Sequence, residues 1–230
     1  MTTLLLLLSG PLQAWGDSSR FARRATNREP TKSGVIGLIA AAQGRRRTDS
    51  LEDLLGLSFG VRVDHEGRVE RDFQTARRLD GSSLPLTTRY YLSDATFVAG
   101  LEGPRDLLSA LDSHLRTPRY PLFLGRRACP PSAPVALGLR EGDVAEALRA
   151  EPWRATVTQQ RRLRARQVSL RLVLDGETGE DGTAQRDVPL SFDPRHRRYG
   201  WRSVVEAEPV SVTNEHGVEN YHDPMAELGG

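Results

Sequence analysis

The chain has 230 residues, 38% of them hydrophobic and 27% charged, a composition that fits a soluble globular protein with a sizeable core in one or two domains. Its 32 basic and 30 acidic residues leave a formal net charge of only +2, so bulk charge does not by itself point to a polyanion. One cysteine, Cys129, excludes an internal disulfide and a thiolate zinc cluster, and no apolar run approaches the ~20 residues of a membrane span.

Thr3–Leu8 is predicted to be a fully buried first strand, stopped by Ser9-Gly10-Pro11. Leu4–Leu8 is too short for a secretory signal, and neither a basic segment nor a cleavage pattern flanks it, which fits a cytoplasmic chain. The polar arm Asp17–Glu29, with Arg20, Arg23, Arg24 and Arg28, reads as a surface loop. Pro30–Gly44 then predicts a helix. Val35, Ile36, Leu38, Ile39 and the alanines cover most of its circumference, so it is buried and not amphipathic. Thr31 or Ser33 caps its first turn and Gly44 ends it. Gly34 and Gly37 admit a close neighbour, at about 1 kcal/mol of helix stability each. The free amides of that first turn, beside Lys32, make either an anion site or an ordinary capped core helix. Arg45–Arg47 follow where the helix dipole favours cations.

A short helix near Leu51–Leu55 leads to strand Ser58–Val63, a turn at Asp64–Gly67 and strand Arg68–Thr75, read as a hairpin. The polar, glycine-containing stretch Ala76–Thr88 projects between strands, and Arg89–Val98 returns as a strand rich in aromatic and β-branched residues. Pro104–Arg116 is an amphipathic helix whose stripe is Leu107, Leu108, Leu111 and Leu115. Tyr120–Pro131 ends in a basic loop, Val135–Leu139 is a further strand, and Asp143 with Glu146 caps a helix reaching Ala150. Beyond Trp153, Val168, Leu170, Leu172 and Leu174 alternate, as do Val188, Leu190 and Phe192 across an acidic loop. This predicts a C-terminal β-hairpin appendage with a loose acidic end after Val212. The element order is α+β: a ferredoxin-like (RRM-like) βαββαβ core over residues 1–152 carrying an inserted hairpin, then a small C-terminal region over 153–230. Fold alone does not fix function.

Charge is unevenly spread: residues 1–50 hold eight Lys/Arg against three Asp/Glu, whereas residues 201–230 hold one against six. Arg154–Arg171 carries six arginines and no acid, and 31 of the 32 basic residues are arginine, Lys32 being the exception. Lys32-Ser33 lacks the glycine pattern of a phosphate-binding loop. His65, His114, His196, His216 and His222 are not at metal-ligand spacing. Asp175, Glu177, Glu180 and Asp181 lack the order of a calcium loop, and Cys129 has no identifiable base. No catalytic residue, metal or cofactor is therefore expected. Binding is better supported: the Arg20–Lys32 arm and cap, including Arg24, Arg89 with Tyr90 and Tyr91, and Arg126-Arg127 offer guanidinium groups for phosphates and flat faces for unpaired bases. Strand alternation turns one of the two tyrosines inward.

Four stretches, Gly10-Pro-Leu-Gln-Ala-Trp-Gly16, Pro30-Thr-Lys-Ser-Gly-Val-Ile-Gly-Leu38, Arg89-Tyr-Tyr-Leu-Ser-Asp-Ala95 and Leu124-Gly-Arg-Arg-Ala-Cys-Pro130, together resemble the CasD family, the RAMP-superfamily subunit of the type I-E CRISPR Cascade complex. The resemblance implies an RNA-binding palm with a thumb inserted at about residues 74–91, and a non-catalytic role in antiviral DNA targeting. The subunit would cap the 5′ handle of the CRISPR RNA and assemble with the backbone and large subunits of Cascade, reaching target DNA only through the complex. It further implies that Gln13 and Trp15, the cap residues Thr31, Lys32 and Ser33, and Arg126 and Arg127 contact the handle, with Arg89 at the thumb base. The alternative is a metal-independent endoribonuclease processing CRISPR repeat RNA, with His65 or His114 as base beside Tyr90 or Tyr91.

Overall fold

A computed structural model describes residues 1–16, 23–176 and 182–218. In chain order the elements are β1 (Thr2–Ser9), β2 (Leu12–Gln13), β3 (Arg23–Arg24), α1 (Lys32–Ala42), α2 (Glu52–Leu55), β4 (Ser58–His65), β5 (Arg68–Gln74), β6 (Thr87–Ser93), β7 (Thr96–Gly103), α3 (Arg105–Arg116), β8 (Ala136–Glu141), α4 (Val144–Ala150), α5 (Val157–Leu163), β9 (Gln167–Asp175), β10 (Thr183–Ser191) and β11 (Arg198–Thr213). Seven strands form one antiparallel sheet in the order β10-β11-β9-β4-β7-β1-β8. A second sheet is built around β6, with β5 along one edge and the short β2 and β3 along the other.

The leucine run of β1 explains its central place. Leu4, Leu6 and Leu8 join the core under α1 and α3, while Leu5 points to the opposite face under α4, as alternation along a strand requires. α1 is capped by Thr31, whose hydroxyl accepts from the Gly34 amide at 3.2 Å. A Cβ on Gly34 would stand 2.7 Å from the Trp15 ring, and one on Gly37 would touch Phe192. Both glycines thus admit an aromatic side chain to the helix surface. α3 buries Leu108, Leu111 and Leu115, and α4 carries the reciprocal Asp143–Glu146 cap.

Strand pairing departs from expectation in three places. β4 and β5 do not form a hairpin: β4 pairs β7 and β9, and β5 pairs β6. Phe59–Asp64 is buried throughout, whereas Arg68-Val-Glu-Arg-Asp-Phe-Gln74 is largely exposed, so β4 stays inside the large sheet and β5 leaves it. Gly67, at φ 70, makes that exit possible; a Cβ there would lie 2.4 Å from the Ser93 carbonyl. The strand expected over Arg89–Val98 is divided by Asp94, at φ 58, into β6 and β7, which belong to different sheets. Finally, β9 does not pair β10. β11, which was not foreseen, lies between them, and β9 joins β4. The region expected to stand apart from residue 153 therefore supplies β9, β10 and β11 to the same sheet as β1. α5 was also unforeseen, within the arginine-rich stretch, and is started by a Thr156–Gln159 capping box. The acidic loop and the chain end from residue 219 lie outside the described residues.

A buried pair closes the underside of the sheet. Arg62 and Asp64 are joined at 2.7 and 2.9 Å, and Arg62 also donates to the carbonyls of Leu148 and Pro152 at 2.6 and 2.9 Å. Arg62 thereby satisfies one of the C-terminal carbonyls left open by α4, that of Leu148, and a carbonyl of the turn that follows the helix. Among the described residues, no helix is long and apolar enough to cross a membrane.

Candidate nucleic-acid interface

The four stretches singled out in the sequence meet in space. Gln13 is buried, and its amide nitrogen donates to the carbonyls of Leu8 (3.1 Å) and Ala95 (2.8 Å). Its amide oxygen accepts the indole N–H of Trp15 at 3.0 Å. Trp15 in turn seats on Gly34 and receives the Asn27 amide on its carbonyl at 2.7 Å. The Ala14 amide donates to Leu124 at 3.1 Å. Gly125 passes so close that a Cβ would fall 1.7 Å from the Ala14 carbonyl oxygen, and its φ of 81 also favours glycine.

Arg126 fastens this assembly. Its guanidinium donates to the carbonyls of Tyr90 and Arg24, both at 3.0 Å, and lies over the Tyr91 ring with 4.6 Å to the centroid, a cation–π contact. Tyr91 is buried and Tyr90 half-buried, the division that strand alternation requires. Arg24 and Arg127 are exposed and Arg89 is half-buried. By register Arg89 stands between Arg24 on β3 and Asp72 on β5. The Arg89 Nε is buried and has no hydrogen-bond partner among the described residues, where such a group costs about 1–3 kcal/mol. Arg20 lies outside the described residues.

The cap of α1 is a different kind of place. Its free amide is already occupied: Lys32 N–H donates to the Asp187 carboxylate at 2.8 Å, and Lys32 Nζ donates to Asp175 at 2.9 Å. Arg202 bridges the two acids, donating to Asp187 at 2.6 and 2.9 Å and to Asp175 at 2.6 Å, above the Phe59 ring. Thr31, Lys32 and Ser33 are 0%, 5% and 6% exposed. Of the two readings left open for this helix, the geometry is that of a capped core helix whose anion is the protein's own carboxylate. Asp187 and Arg202 escaped sequence reasoning because each matters only through strands that are distant in sequence. The one available signal was a basic Arg202 next to the valines of β11.

Cys129 is buried beneath the Arg126 loop, and burial pushes its thiol above the ordinary value, against the opposing influence of Arg126. His65 Nδ1–H donates to the Asp94 carbonyl at 2.7 Å, and His114 is exposed on α3. No group of three His, Cys, Asp or Glu among the described residues could hold a metal ion.

Known proteins resemble this chain over most of its length. A family model described as "CRISPR-associated protein (Cas_Cas5)" matches residues 3–205. The "CRISPR system Cascade subunit CasD" of Escherichia coli (strain K12) is 37% identical over 156 residues, 59% of this chain and 70% of that protein. A solved structure titled "Crystal structure of Cas protein" is 40% identical, with a TM-score of 0.72 over 95% of this chain and 98% of the other. A chain of a "CRISPR RNA-guided surveillance complex" is 33% identical, with a TM-score of 0.75 over 98% and 97%.

Proposed function

Because the chain belongs to the Cas5 family of CRISPR-associated proteins, we propose that it is a non-catalytic RNA-binding subunit of a Cascade-type surveillance ribonucleoprotein. It holds the 5′ handle of the CRISPR RNA on the surface formed by Arg24, Arg89 and Arg127, with Arg126 locked behind them. The observation that carries this reading is the grouping of Arg24, Arg89 and Arg127 around the Arg126 loop, with the Arg89 Nε lacking a hydrogen-bond partner among the described residues. The guanidinium of the half-buried Arg89 offers a phosphate at that surface the planar donor geometry that suits it, and a small turn of the side chain toward such a phosphate would also give the Nε a partner.

Gln13, Trp15, Thr31, Lys32 and Ser33 serve this surface from beneath. Their polar atoms bind one another and the strands around them, so they hold the Arg126 loop and α1 in place while the exposed arginines meet the handle. The strand order β8-β1-β7-β4, with α1 and α3 as crossovers, supports a ferredoxin-like palm. β5, β6 and the exposed connection between them are its thumb. The other Cascade subunits are the protein partners, target DNA is met through the complex, and the work is cytoplasmic.

The test is the salt dependence of binding to a single-stranded repeat-handle RNA. Arg89→Glu and Arg127→Glu each weaken capture and lower the slope of log affinity against log salt by about 0.7 per lost phosphate contact. An unchanged slope in both variants overturns the proposed surface. Incubation of labelled repeat RNA with the pure protein and EDTA addresses catalysis: intact RNA is expected, and discrete cleavage by this chain would replace the non-catalytic reading with the endoribonuclease one.

A further inference from the structure

α5 buries one residue, and that residue is a glutamine. A helix is ordinarily held to its domain by an apolar face, but among Val157–Leu163 only Gln159 is buried, while Val157 and Leu163 are exposed. The amide nitrogen of Gln159 donates to the Asp94 carbonyl at 2.8 Å and to its carboxylate at 3.0 Å. Arg162, one turn on, donates to the other carboxylate oxygen at 2.8 Å. The amide oxygen of Gln159 accepts from the Thr156 amide at 2.8 Å, closing the capping box, and from the Thr96 hydroxyl at 3.2 Å. The residue that starts the helix is therefore also the residue that ties it down.

Asp94 stands where the chain crosses from β6 in the small sheet to β7 in the large one, in the left-handed conformation that asparagine and aspartate tolerate better than other side chains. All its polar groups are engaged. Besides Gln159 and Arg162, its carbonyl accepts from His65 and its amide donates to Pro11 at 3.2 Å. His65 ends β4 at the other crossing between the sheets, where Gly67 passes against Ser93. Both connections of the thumb thus pass through the grip on Asp94. Elsewhere β6 is joined to the palm by β2 and β3, two residues each. Beside the grip, between α5 and the start of β5, a cleft of about 550 Å³ lined by Arg68, Glu70, Ser93 and Leu163 leaves the thumb base unpacked.

We infer that α5 is a positioning element for the thumb: Gln159 and Arg162 fix Asp94, and through it the angle at which β6 presents Arg89. The consequence for RNA rests on the RNA-binding reading above; the grip on the junction does not. The arginine-rich stretch gains a specific purpose here: Arg161, Arg162 and Arg164 are all exposed, and Arg162 reaches the junction carboxylate across the surface while the buried Gln159 makes the firmer tie.

Asp94→Gly separates this role from plain stability. Glycine relieves the left-handed backbone while deleting the carboxylate, so part of the cost of the lost hydrogen bonds is offset and the full-length variant should melt within a few degrees of the wild type. Amide exchange at 64–67 and 93–96 should rise about tenfold and handle-RNA affinity should fall about three- to tenfold, since the two hydrogen bonds to the Asp94 carboxylate are lost. Gln159→Ala should reproduce both changes, and Asp94→Asn, which keeps an acceptor and tolerates the conformation, should recover most of the affinity. Wild-type exchange at both crossings in Asp94→Gly and Gln159→Ala would overturn the inference, as would faster exchange with undiminished RNA affinity. If the wild-type protein fails to bind handle RNA, the RNA reading falls by itself, and the exchange measurement still decides whether α5 holds the junction.

Discussion

Two basic places in this protein look alike in sequence and differ in what they do. The turn before α1 offers Thr31, Lys32 and Ser33 at a helix N-terminus; the Leu124–Pro130 loop offers Arg126 and Arg127 with no helix behind them. In the folded chain the first is closed. Asp187 and Asp175 take its amide and its ammonium, and Arg202 neutralises what remains. The second is open, because Arg126 is spent on carbonyls and a tyrosine ring while Arg127 and Arg24 are left at the surface. A cation's availability is set by the carboxylates that distant strands bring to it, not by its immediate neighbours.

The largest effect that sharpens this contrast lies in the closed site. Asp187→Ala removes the acceptor of the first amide of α1 and leaves Arg202 with Asp175 as its one carboxylate partner; breaking a buried ion pair in this way costs about 3–5 kcal/mol, and chemical denaturation should show it as a lower midpoint. Lys32→Gln is milder. It removes one charged hydrogen bond and leaves Asp175 with Arg202 and the Phe59 amide, for about 1–3 kcal/mol, while the salt slope of RNA binding stays at its wild-type value. A lowered slope would break the comparison and reopen the cap as an RNA contact.

The smallest effect is a pH dependence at Glu151, in the interior network with Arg140 and Arg154. Burial works against its ionised form, but hydrogen bonds from Arg154 and Arg140 outweigh burial and hold the carboxyl below the ordinary glutamate value of 4.5. Its stabilising contribution is therefore complete above that value and is lost as pH falls through the lower folded-state pKa. Urea titrations at stepped acidic pH should show a shallower acid loss of stability in Glu151→Gln than in the wild type.

What could be read from the sequence follows how local each cause is. The caps at Thr31 and Asp143, the stripe of α3 and the two-faced burial of β1 are written within a few neighbouring residues, and all appear where the pattern puts them. The four stretches of the interface were legible as separate pieces. Their meeting depends on contacts such as Ala14 with Leu124 that no local pattern encodes. β4 and β5 were read as strands but paired with each other, because a short turn between two strands usually makes a hairpin, and only the contrast between buried Phe59–Asp64 and polar β5 argues otherwise. β11 was missed because its valines at 204, 205, 210 and 212 are broken by acids and Pro209, and α5 because a helix that buries only Gln159 has no apolar period to detect.

The clamp on α1 also bears on how the chain is made. Lys32 and Asp187 are 155 residues apart, and β4, emerging early, waits for β9 to cover one of its edges. At about 5–20 residues per second, the Lys32 amide in the first turn of α1 waits roughly 8–30 s after it is polymerised for the Asp187 carboxylate, and the Lys32 ammonium waits nearly as long for Asp175. The nascent N-terminal half therefore leaves the ribosome with its core sheet open along β4 and a cationic helix end unpaired. Closure is a late event that awaits β9 and Asp187, so a ribosome that stalls before Asp187 leaves a chain in which this clamp never forms.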